Sequence, residues 1–270
     1  MAQSITLERT SSGTPVWITG DGPPVILIHG VLMDHRMWDR QVLDLSNHYR
    51  VYRIDMLGHG DAPAPPRKPS LNDFVGQVEE VVETFCPGEA PVIGGFSMGG
   101  LVTQAYGITH HKRVGGLIIL NAVYNRTAEE SAIVQARSKM MASEGVEAAI
   151  SAARKRWFRA EEFEAQGTLI DEICDWMRHG DFTIKCKAHW VFATSDEQTV
   201  GRLGEITCPT LIMTGDGDAG SPPHMSVAMA SAIHDTELHI FGRQQHMMPV
   251  LDAKRVNQVL RSFINRVTSN

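Results

Sequence analysis

The sequence predicts an α/β fold built on a mostly parallel sheet, and three observations support this class. Short apolar runs alternate along the chain with longer stretches of helical character, which is the pattern of strands joined by crossover helices. The runs are apolar at nearly every position, as expected for strands that helices cover on both faces. With 270 residues, of which 43% are hydrophobic, the chain is long enough to bury one large core.

Eight strands and the helices between them follow in order along the chain. Residues 5–8 and 14–18 are expected to form an opening antiparallel hairpin, after which strands and helices alternate. Residues 63–69 contain several prolines, which prevent a regular helix, so this stretch is expected to be a surface loop. Ser70 can then cap an amphipathic helix over residues 71–84. The other strands are predicted at residues 25–29, 49–54, 92–94, 117–120, 210–213 and 238–241.

The alternation of strands and helices stops between Asn121 and about Thr207. Segments of helical character, such as residues 142–158 and 160–178, fill this part of the chain. The sequence therefore predicts a core interrupted by a helical insertion, which we call the cap. The expected division assigns residues 1–121 and 208–270 to the core and residues 122–207 to the cap.

Residues 92–100 (VIGGFSMGG) combine an apolar run with a Gly-x-Ser-x-Gly motif, and the helix-forming residues 101–106 follow directly. This context predicts a nucleophile elbow, in which Ser97 lies on a sharp turn between a strand and a helix. Gly95 and Gly99 would leave room where neighbouring backbone segments approach closely. The alternative is a glycine-rich loop before a helix, because so short a motif also arises by chance.

Two partners for this serine follow at the ends of later strands. The predicted strand at residues 210–214 ends in Gly-Asp-Gly-Asp, a turn that can present a carboxylate. Asp218 is the predicted triad acid, and Asp216 in the same turn is its competitor. The strand-like residues 237–241 open into a loop that contains His246, the predicted general base.

Two further blocks lie in the amino-terminal third of the chain. His29-Gly30 with Trp38 downstream forms an HG...W block, and residues 55–60 (DMLGHG) form a D-x-x-G-x-G block. With the serine motif, the GDGD turn and the late histidine, the chain resembles the α/β-hydrolase superfamily over nearly its whole length. The chain order Ser, Asp, His is also that of α/β-hydrolases and differs from chymotrypsin-like and subtilisin-like enzymes. Asp61 departs from the serine common in the family, which leaves the catalytic positions unchanged.

The stretch after Asn121 carries a narrower resemblance. Arg137, Gly145, Val146 and residues 156–158 (RWF) are similar to the corresponding region of 3-oxoadipate enol-lactonases and related small carboxylesterases. The resemblance implies an α/β-hydrolase fold with an eight-stranded, mostly parallel sheet, flanking helices and a helical cap insertion. It also implies catalysis that needs no metal or organic cofactor.

Hydrolysis through an acyl-enzyme requires N–H donors for the oxyanion that develops during the reaction. In α/β-hydrolases, one donor follows the nucleophile and the other lies in the loop after an early strand. The resemblance therefore assigns the oxyanion hole to the backbone N–H groups of Met98 and Val31. Because the donors are backbone groups, this role places no demand on the two side chains.

The resemblance places the cap over the nucleophile, where it would shape the substrate pocket. Trp157, Trp190 and Met140 are the predicted lining residues, and Trp176 and Met141 are further candidates. The alternative is that these large apolar side chains only pack the cap against the core.

Composition excludes several other functions. The 25 basic and 31 acidic residues give a net charge of −6, which argues against a nucleic-acid partner. No apolar run approaches the roughly 20 residues that span a bilayer, and the start of the chain lacks the features of a signal peptide. We therefore expect a cytoplasmic enzyme with a small-molecule substrate, and a homo-oligomer is left open. Buried free thiols, rather than disulfides or metal ligands, are predicted for Cys86, Cys174, Cys186 and Cys208.

The leading hypothesis is a serine hydrolase that cleaves a carboxylic ester or lactone of a small molecule. Ser97 would form an acyl-enzyme, His246 would act as general base and Asp218 would orient the imidazole. Carbon–carbon bond hydrolysis or cofactor-free perhydrolysis on the same triad is the alternative, whereas dehalogenation would need Asp in place of the serine. A receptor-like binding protein is a third alternative, because a fold does not fix a function.

Overall fold

The computed structural model describes residues 4–269 and contains one eight-stranded sheet. The sheet order is β1-β2-β4-β3-β5-β6-β7-β8, in which β1 pairs antiparallel with β2 and β2 antiparallel with β4. The remaining pairs are parallel, which confirms the predicted fold class. The strands are β1 (Ile5–Arg9), β2 (Pro15–Thr19), β3 (Pro24–Ile28), β4 (Arg50–Ile54), β5 (Val92–Phe96), β6 (Gly116–Leu120), β7 (Thr210–Gly215) and β8 (Thr236–Phe241).

Four neighbouring strands of the sheet, β3, β5, β6 and β7, are buried at every residue. Helices therefore cover both faces of the sheet, as the uninterrupted apolar runs predicted. Ten α-helices accompany the sheet within residues 4–269, joined by short 3₁₀ turns. They are α1 (Asp39–Leu45), α2 (Leu71–Phe85), α3 (Met98–His110), α4 (Ala128–Glu144), α5 (Val146–Trp157), α6 (Ala160–Arg178), α7 (Phe182–Thr194), α8 (Pro223–Ala232), α9 (Met248–Leu251) and α10 (Ala253–Thr268).

Two local predictions are confirmed at the surface and in the core. Ser70 is the N-cap residue of α2, and its backbone N–H donates to the Asp73 carboxylate at 2.7 Å as part of a capping box. The four cysteines are buried and free, as expected. No helix within residues 4–269 is long and apolar enough to cross a membrane.

The insertion between β6 and β7 consists of α4, α5, α6 and α7. Helix α4 packs against both α5 and α7, and α5 packs against α6. These helices form the layer in which the sequence places the cap. The exact division of the chain between core and cap stays a prediction.

A tight turn joins β5 to α3 and brings three backbone segments into close contact. Ser97 occupies this turn with φ 54° and ψ −113°, a conformation that costs energy for a residue with a Cβ atom. A Cβ atom on Gly95 would lie 2.1 Å from the Gly99 carbonyl oxygen. A Cβ atom on Gly99 would lie 2.4 Å from the Ile28 carbonyl oxygen. Glycine at both positions therefore lets the start of α3 pack directly on β3 and β5.

This contact predicts opposite effects for two Gly→Ala substitutions. Gly95→Ala would place a methyl group against backbone that cannot move aside, so we expect a loss of at least about 2 kcal/mol in the free energy of unfolding. Gly76→Ala is the matched control, because Gly76 lies in α2 and a Cβ atom there would meet nothing within 4 Å. That variant should gain about 0.5–1 kcal/mol from helix propensity. Denaturant unfolding of both variants checks the prediction, and equal stabilities would contradict it.

Candidate active site

Ser97 lies at the carboxyl end of β5, where the elbow turns its side chain into a cavity. The residue is 5% exposed, and its backbone N–H donates to the Leu120 carbonyl at 2.9 Å, which fixes the turn to β6. Val31 and His246 line the same cavity. The structure therefore brings the predicted nucleophile, the predicted base and one predicted oxyanion residue to one space.

Asp218 and His246 form a buried pair beside this serine. The Nδ1 atom of His246 lies 2.7 Å from Oδ2 of Asp218, and the two residues are 6% and 2% exposed. The same carboxylate oxygen also accepts from Asn121 Nδ2 and from Ser221 Oγ, each at 2.8 Å. The other oxygen accepts the backbone N–H groups of Gly220 and Ser221 at 2.9 and 3.1 Å. Five donors therefore hold the carboxylate in one orientation.

These donors determine the charge state of Asp218. Burial alone would raise its pKa, but the charge of His246 and the hydrogen bonds from His246, Asn121 and Ser221 outweigh that effect and lower the pKa. Asp218 is therefore an anion that can only accept hydrogen bonds. It follows that His246 donates through Nδ1, which leaves Nε2 as the atom that can take a proton from Ser97.

The competing carboxylate, Asp216, faces away from the histidine. Asp216 is exposed, and its Oδ1 accepts the backbone N–H of Gln244 at 3.2 Å. It helps to hold the turn after β7 next to the loop after β8. The geometry thus favours Asp218 over Asp216 as the triad acid.

Two aromatic rings pack around the imidazole of His246. The ring of Phe96 lies 4.8 Å from it between centroids, and the ring of Trp157 lies 5.5 Å away. Phe96 comes from the core, whereas Trp157 is the last residue of α5 in the cap. The imidazole is therefore held between core and cap, with restricted access for water.

The two predicted oxyanion donors occupy suitable backbone positions. Met98 is the first residue of α3, and N–H groups in the first turn of a helix have no partner within that helix. Their partial positive charge favours an anion at this end of the helix. Val31 lies in the loop after β3 and lines the cavity beside the serine. The roles of both N–H groups in the reaction stay predictions.

Three cap helices, α4, α5 and α7, line the other side of the cavity. Trp157 lines it as predicted, but Trp190 and Met140 do not. Trp190 is 41% exposed and lies in a separate surface groove, because the cavity-facing residues of α7 are His189 and Phe192. On α4 the helical period presents Glu130, Ile133, Val134, Arg137 and Met141 to the cavity.

The prediction for Met140 was therefore wrong by one residue. A step of one residue rotates a side chain by about 100° around a helix, which turns Met140 away and Met141 inward. Met141 was a further candidate and does line the cavity, whereas Trp176 is buried outside it.

Sequence reasoning missed the most polar part of the cavity. Arg126, Arg137, Arg156 and His189 all line it and all come from the inserted segment. The helical spacing of residues 130, 133, 134, 137 and 141 in α4 is a signal that could have placed Arg137 on the inner face. Their roles differ, since Arg126 is already paired with Asp196 at 2.8 Å and the other two arginines are not paired with a carboxylate within residues 4–269.

The charges of these side chains affect one another. Burial and the charge of Arg126 lower the pKa of Arg137. Burial together with Arg137 lowers the pKa of Arg156 to about 10, and the charge of Asp218 opposes this shift. Both guanidinium groups stay charged near neutral pH. Burial and the three arginines lower the pKa of His189 to about 3, so this imidazole is neutral. The cavity thus combines two available cations with a neutral histidine whose Nδ1 atom has no hydrogen-bond partner.

One group of side chains within residues 4–269 has the spacing of metal ligands. Ligand atoms of Asp34, His35 and Asp55 lie within 4.8 Å of one another. Asp34 already accepts from the Arg36 guanidinium at 2.8 and 2.6 Å. Asp55 accepts from the backbone N–H and from Nδ1 of His35 at 2.8 and 2.9 Å. Protein groups therefore satisfy these carboxylates, and the group stabilises the loop after β3.

Comparison with known proteins identifies the family. The chain matches the model of the alpha/beta hydrolase family over residues 25–259 and belongs to that family. It is 31% identical, over 97% of its length and 98% of the relative, to (E)-2-((N-methylformamido)methylene)succinate hydrolase of Acinetobacter baylyi. It is 24% identical to 3-oxoadipate enol-lactonase 1 of the same organism, over 96% of each chain.

Solved structures show the same fold. An esterase from Thermogutta terrifontis, solved with malate bound, superposes with a TM-score of 0.87 at 24% identity, over 98% of this chain and 99% of that one. The enol-lactonase from Burkholderia xenovorans LB400 gives a TM-score of 0.86 at 24% identity, over 96% of this chain and all of the other. The protein is a hydrolase of this family and is similar to enol-lactonases and esterases.

The geometry of the acid predicts different outcomes for two neighbouring Asp→Asn substitutions. Asp218→Asn would present an amide N–H to His246 Nδ1, which favours the wrong tautomer and should lower kcat by about 10⁴-fold. Asp216→Asn is the matched control from the same turn, and its kcat should stay within about 2-fold of wild type because surface substitutions have small effects. Steady-state hydrolysis by both variants is the measurement. A large loss in Asp216→Asn with an active Asp218→Asn would reverse the assignment.

Proposed function

We propose that this protein hydrolyses a carboxylic ester or lactone of a small molecule through an acyl-enzyme on Ser97. The observation that carries the proposal is the buried pair of Asp218 and His246 at the cavity that contains the elbow serine. This arrangement supplies a nucleophile, a base of defined tautomer and an anion that orients the base. The enol-lactonase and esterase relatives support the same reaction class.

The proposed reaction has two halves. His246 Nε2 takes the proton of Ser97 Oγ as that oxygen attacks the carbonyl carbon, and the N–H groups of Val31 and Met98 stabilise the oxyanion. The carbon–oxygen bond of the leaving group then breaks, and His246 returns the proton to the departing oxygen. Water, deprotonated by His246, attacks the acyl-enzyme and releases the acid and free Ser97.

The nucleophile assignment predicts the largest loss of activity. Ser97→Ala removes the atom that forms the acyl-enzyme, so we expect kcat to fall by about 10⁶-fold. Hydrolysis of a panel of short alkyl esters, saturated lactones and enol-lactones by wild type and Ser97→Ala checks this. Activity that survives the substitution would rule out the nucleophile. Inactivity of wild type on the whole panel would count against ester and lactone hydrolysis.

We further propose that the acyl part of the substrate carries a carboxylate. Arg137 and Arg156 line the cavity without a carboxylate partner, and Nε of Arg156 is buried without a hydrogen-bond partner. The nearby acidic side chains already accept hydrogen bonds from other groups. Glu130 accepts the Thr127 N–H at 2.7 Å, and Asp218 accepts from the five donors described above. A guanidinium offers five donors in a plane and suits a carboxylate, so a ligand anion would satisfy these groups.

The names of two similar proteins also indicate a negatively charged substrate. The name of the relative at 31% identity gives its substrate as a succinate, which has two carboxylates. The esterase with TM-score 0.87 was solved with malate, which is also a dicarboxylate. We infer that this protein acts on an acidic small molecule rather than on a neutral ester.

A second candidate is hydrolysis of an acyl–nitrogen bond on the same triad. It is favoured by the N-methylformamido group in the name of the relative at 31% identity. The chemistry then differs in two ways. His246 would protonate a nitrogen instead of an oxygen, and the carboxylates would lie on the leaving group instead of on the acyl part. An N-formyl enamine of a dicarboxylic acid, added to the ester and lactone panel, distinguishes the two candidates by relative kcat/KM.

The two free arginines predict a charge-dependent loss of activity. Arg137→Met and Arg156→Met each remove hydrogen bonds to a charged group worth about 1.5–3 kcal/mol, or about 10–100-fold in kcat/KM. This loss is expected for monomethyl succinate and not for methyl 4-methylpentanoate, in which an isopropyl group replaces the carboxylate. Measuring kcat/KM for both esters in each variant separates charge recognition from general damage.

Arg154→Met is the control for this comparison. Arg154 lies two residues before Arg156 in the same helix, but it pairs with Asp171 at 2.8 Å on the surface. Arg154→Met should leave kcat/KM unchanged for both esters. Equal losses on the charged and the neutral ester in the Arg137 and Arg156 variants would show that these residues do not recognise a carboxylate.

A further inference from the structure

Lys185 is a fully buried cation that the proposed reaction does not use. It lies on α7, is 0% exposed, and donates through Nζ to three backbone carbonyls. Two acceptors, Trp176 at 3.1 Å and Met177 at 3.3 Å, belong to the end of α6 in the cap. The third is Leu32 at 3.4 Å, in the loop after β3. This one side chain therefore joins the cap to the loop that carries Val31.

Leu32, the loop residue that Lys185 binds, has an unfavourable backbone conformation. Leu32 has φ 71°, in the left-handed region that is costly for a residue with a large side chain. Such a conformation persists only when surrounding groups hold it in place. Lys185 holds the carbonyl of Leu32, and His59 Nε2 accepts the N–H of the same residue at 3.1 Å. Both peptide groups that flank Leu32 are thus fixed.

Hydrogen bonds of two histidines, His29 and His59, also orient the two peptide groups that flank Val31, one of which contains the Val31 N–H. The peptide group that contains the Val31 N–H has its carbonyl on Gly30, and that oxygen accepts from His29 Nδ1 at 2.7 Å. His29 Nε2 accepts the backbone N–H of Met56 at 2.9 Å, so the tautomer is fixed. His59 Nδ1 donates to the Leu57 carbonyl at 3.1 Å, which leaves Nε2 to accept. Three successive peptide groups of the loop are therefore oriented by side chains.

We propose that Lys185 is a positioning residue, which aims the Val31 N–H at the oxyanion by holding the Leu32 carbonyl from the cap. The inference rests on the proposed function, because it assumes that the Val31 N–H stabilises an oxyanion. It extends the site beyond residues that touch the substrate. It also makes the oxyanion hole depend on the correct seating of α7 on the core.

The electrostatic surroundings of Lys185 agree with this role. Burial lowers its pKa to about 8, against the opposing charges of Asp34 and Asp55, while Arg36 lowers it further. The ammonium form still predominates at pH 7. A buried charge with carbonyl partners costs more than an apolar side chain of the same size, so stability alone does not account for a lysine here. Lys185 also lowers the pKa of His59, whose pKa burial already lowers, and this keeps the acceptor nitrogen free.

The test compares Lys185→Met with Lys187→Met. Lys187 lies on the same helix but is exposed and lines no part of the catalytic cavity, so its variant should match wild type. In Lys185→Met the Val31 N–H is expected to move away from the oxyanion. A misplacement of this kind should lower kcat by about 100-fold and leave KM nearly unchanged.

Two further readouts separate positioning from a merely structural role. The affinity for a boronic acid, which forms a tetrahedral anion on Ser97, should fall by the same factor as kcat. Competitive inhibition by the product acid should weaken less than boronic-acid binding, because interactions with the oxyanion hole are stronger for the tetrahedral anion than for a ground-state ligand. Lys185→Arg keeps a cationic donor and should recover more activity than Lys185→Met. Unchanged kcat in Lys185→Met, or equal losses for boronic acid and product acid, would overturn the inference.

The rate of Ser97 labelling by a fluorophosphonate keeps this test independent of the substrate. Labelling needs the triad and the oxyanion hole but no particular ester. A wild-type enzyme that is labelled without hydrolysing the ester panel would remove the proposed substrate class, and the labelling rate of Lys185→Met would still decide the inference. Slower labelling by about 100-fold supports it, and labelling at the rate of the Lys187→Met control contradicts it.

Discussion

The close backbone contact of α3 with β5 and with the end of β3 is the constraint on which the site depends. It requires glycine at 95 and 99, and it forces Ser97 into a left-handed conformation at the tip of the turn. The same contact aims the first N–H groups of α3 at the space beside the serine. Because β3, β5, β7 and β8 are parallel, their carboxyl ends lie at one edge of the sheet. The loops that follow these strands therefore bring Val31, Ser97, Asp218 and His246 together.

The core and the cap contribute different chemistry to this edge. The core supplies the reactive groups, and Asp218 is held by five donors so that His246 has one tautomer. The cap supplies positive charge through Arg137 and Arg156, which have no carboxylate partner of their own. It also supplies Lys185, whose contact with the Leu32 carbonyl would, on our proposal, link the packing of the cap to the geometry of the oxyanion hole. Burying Lys185 and partly burying Arg137 and Arg156 is costly, and the proposed bound anion and fixed loop would give a physical reason for it.

Local patterns predicted the core well and the cap poorly. Ser97 and His246 follow strands whose apolar runs are readable, and Asp218, predicted in preference to Asp216, is the carboxylate that lies beside His246. Which face of a cap helix lines the cavity depends on how the helices pack. Met140 was therefore predicted to line the cavity although its neighbour Met141 does so, and Trp190 was predicted there although it lies outside. Arg137 and Arg156 contribute to the enol-lactonase resemblance but were not predicted to line the cavity, because the sequence does not reveal which arginines are paired. Arg126 is neutralised by Asp196, seventy residues further along the chain, whereas Arg137 is not.

The most direct test of this account is the mass spectrum of the enzyme after an acid quench during turnover of monomethyl succinate. The account predicts a succinyl group on the peptide that contains Ser97, and no such group on any peptide of Ser97→Ala. It also predicts little labelling with methyl 4-methylpentanoate at the same concentration, because that ester lacks the carboxylate. Turnover of monomethyl succinate with the label on another residue, or equal labelling by both esters, would contradict the account.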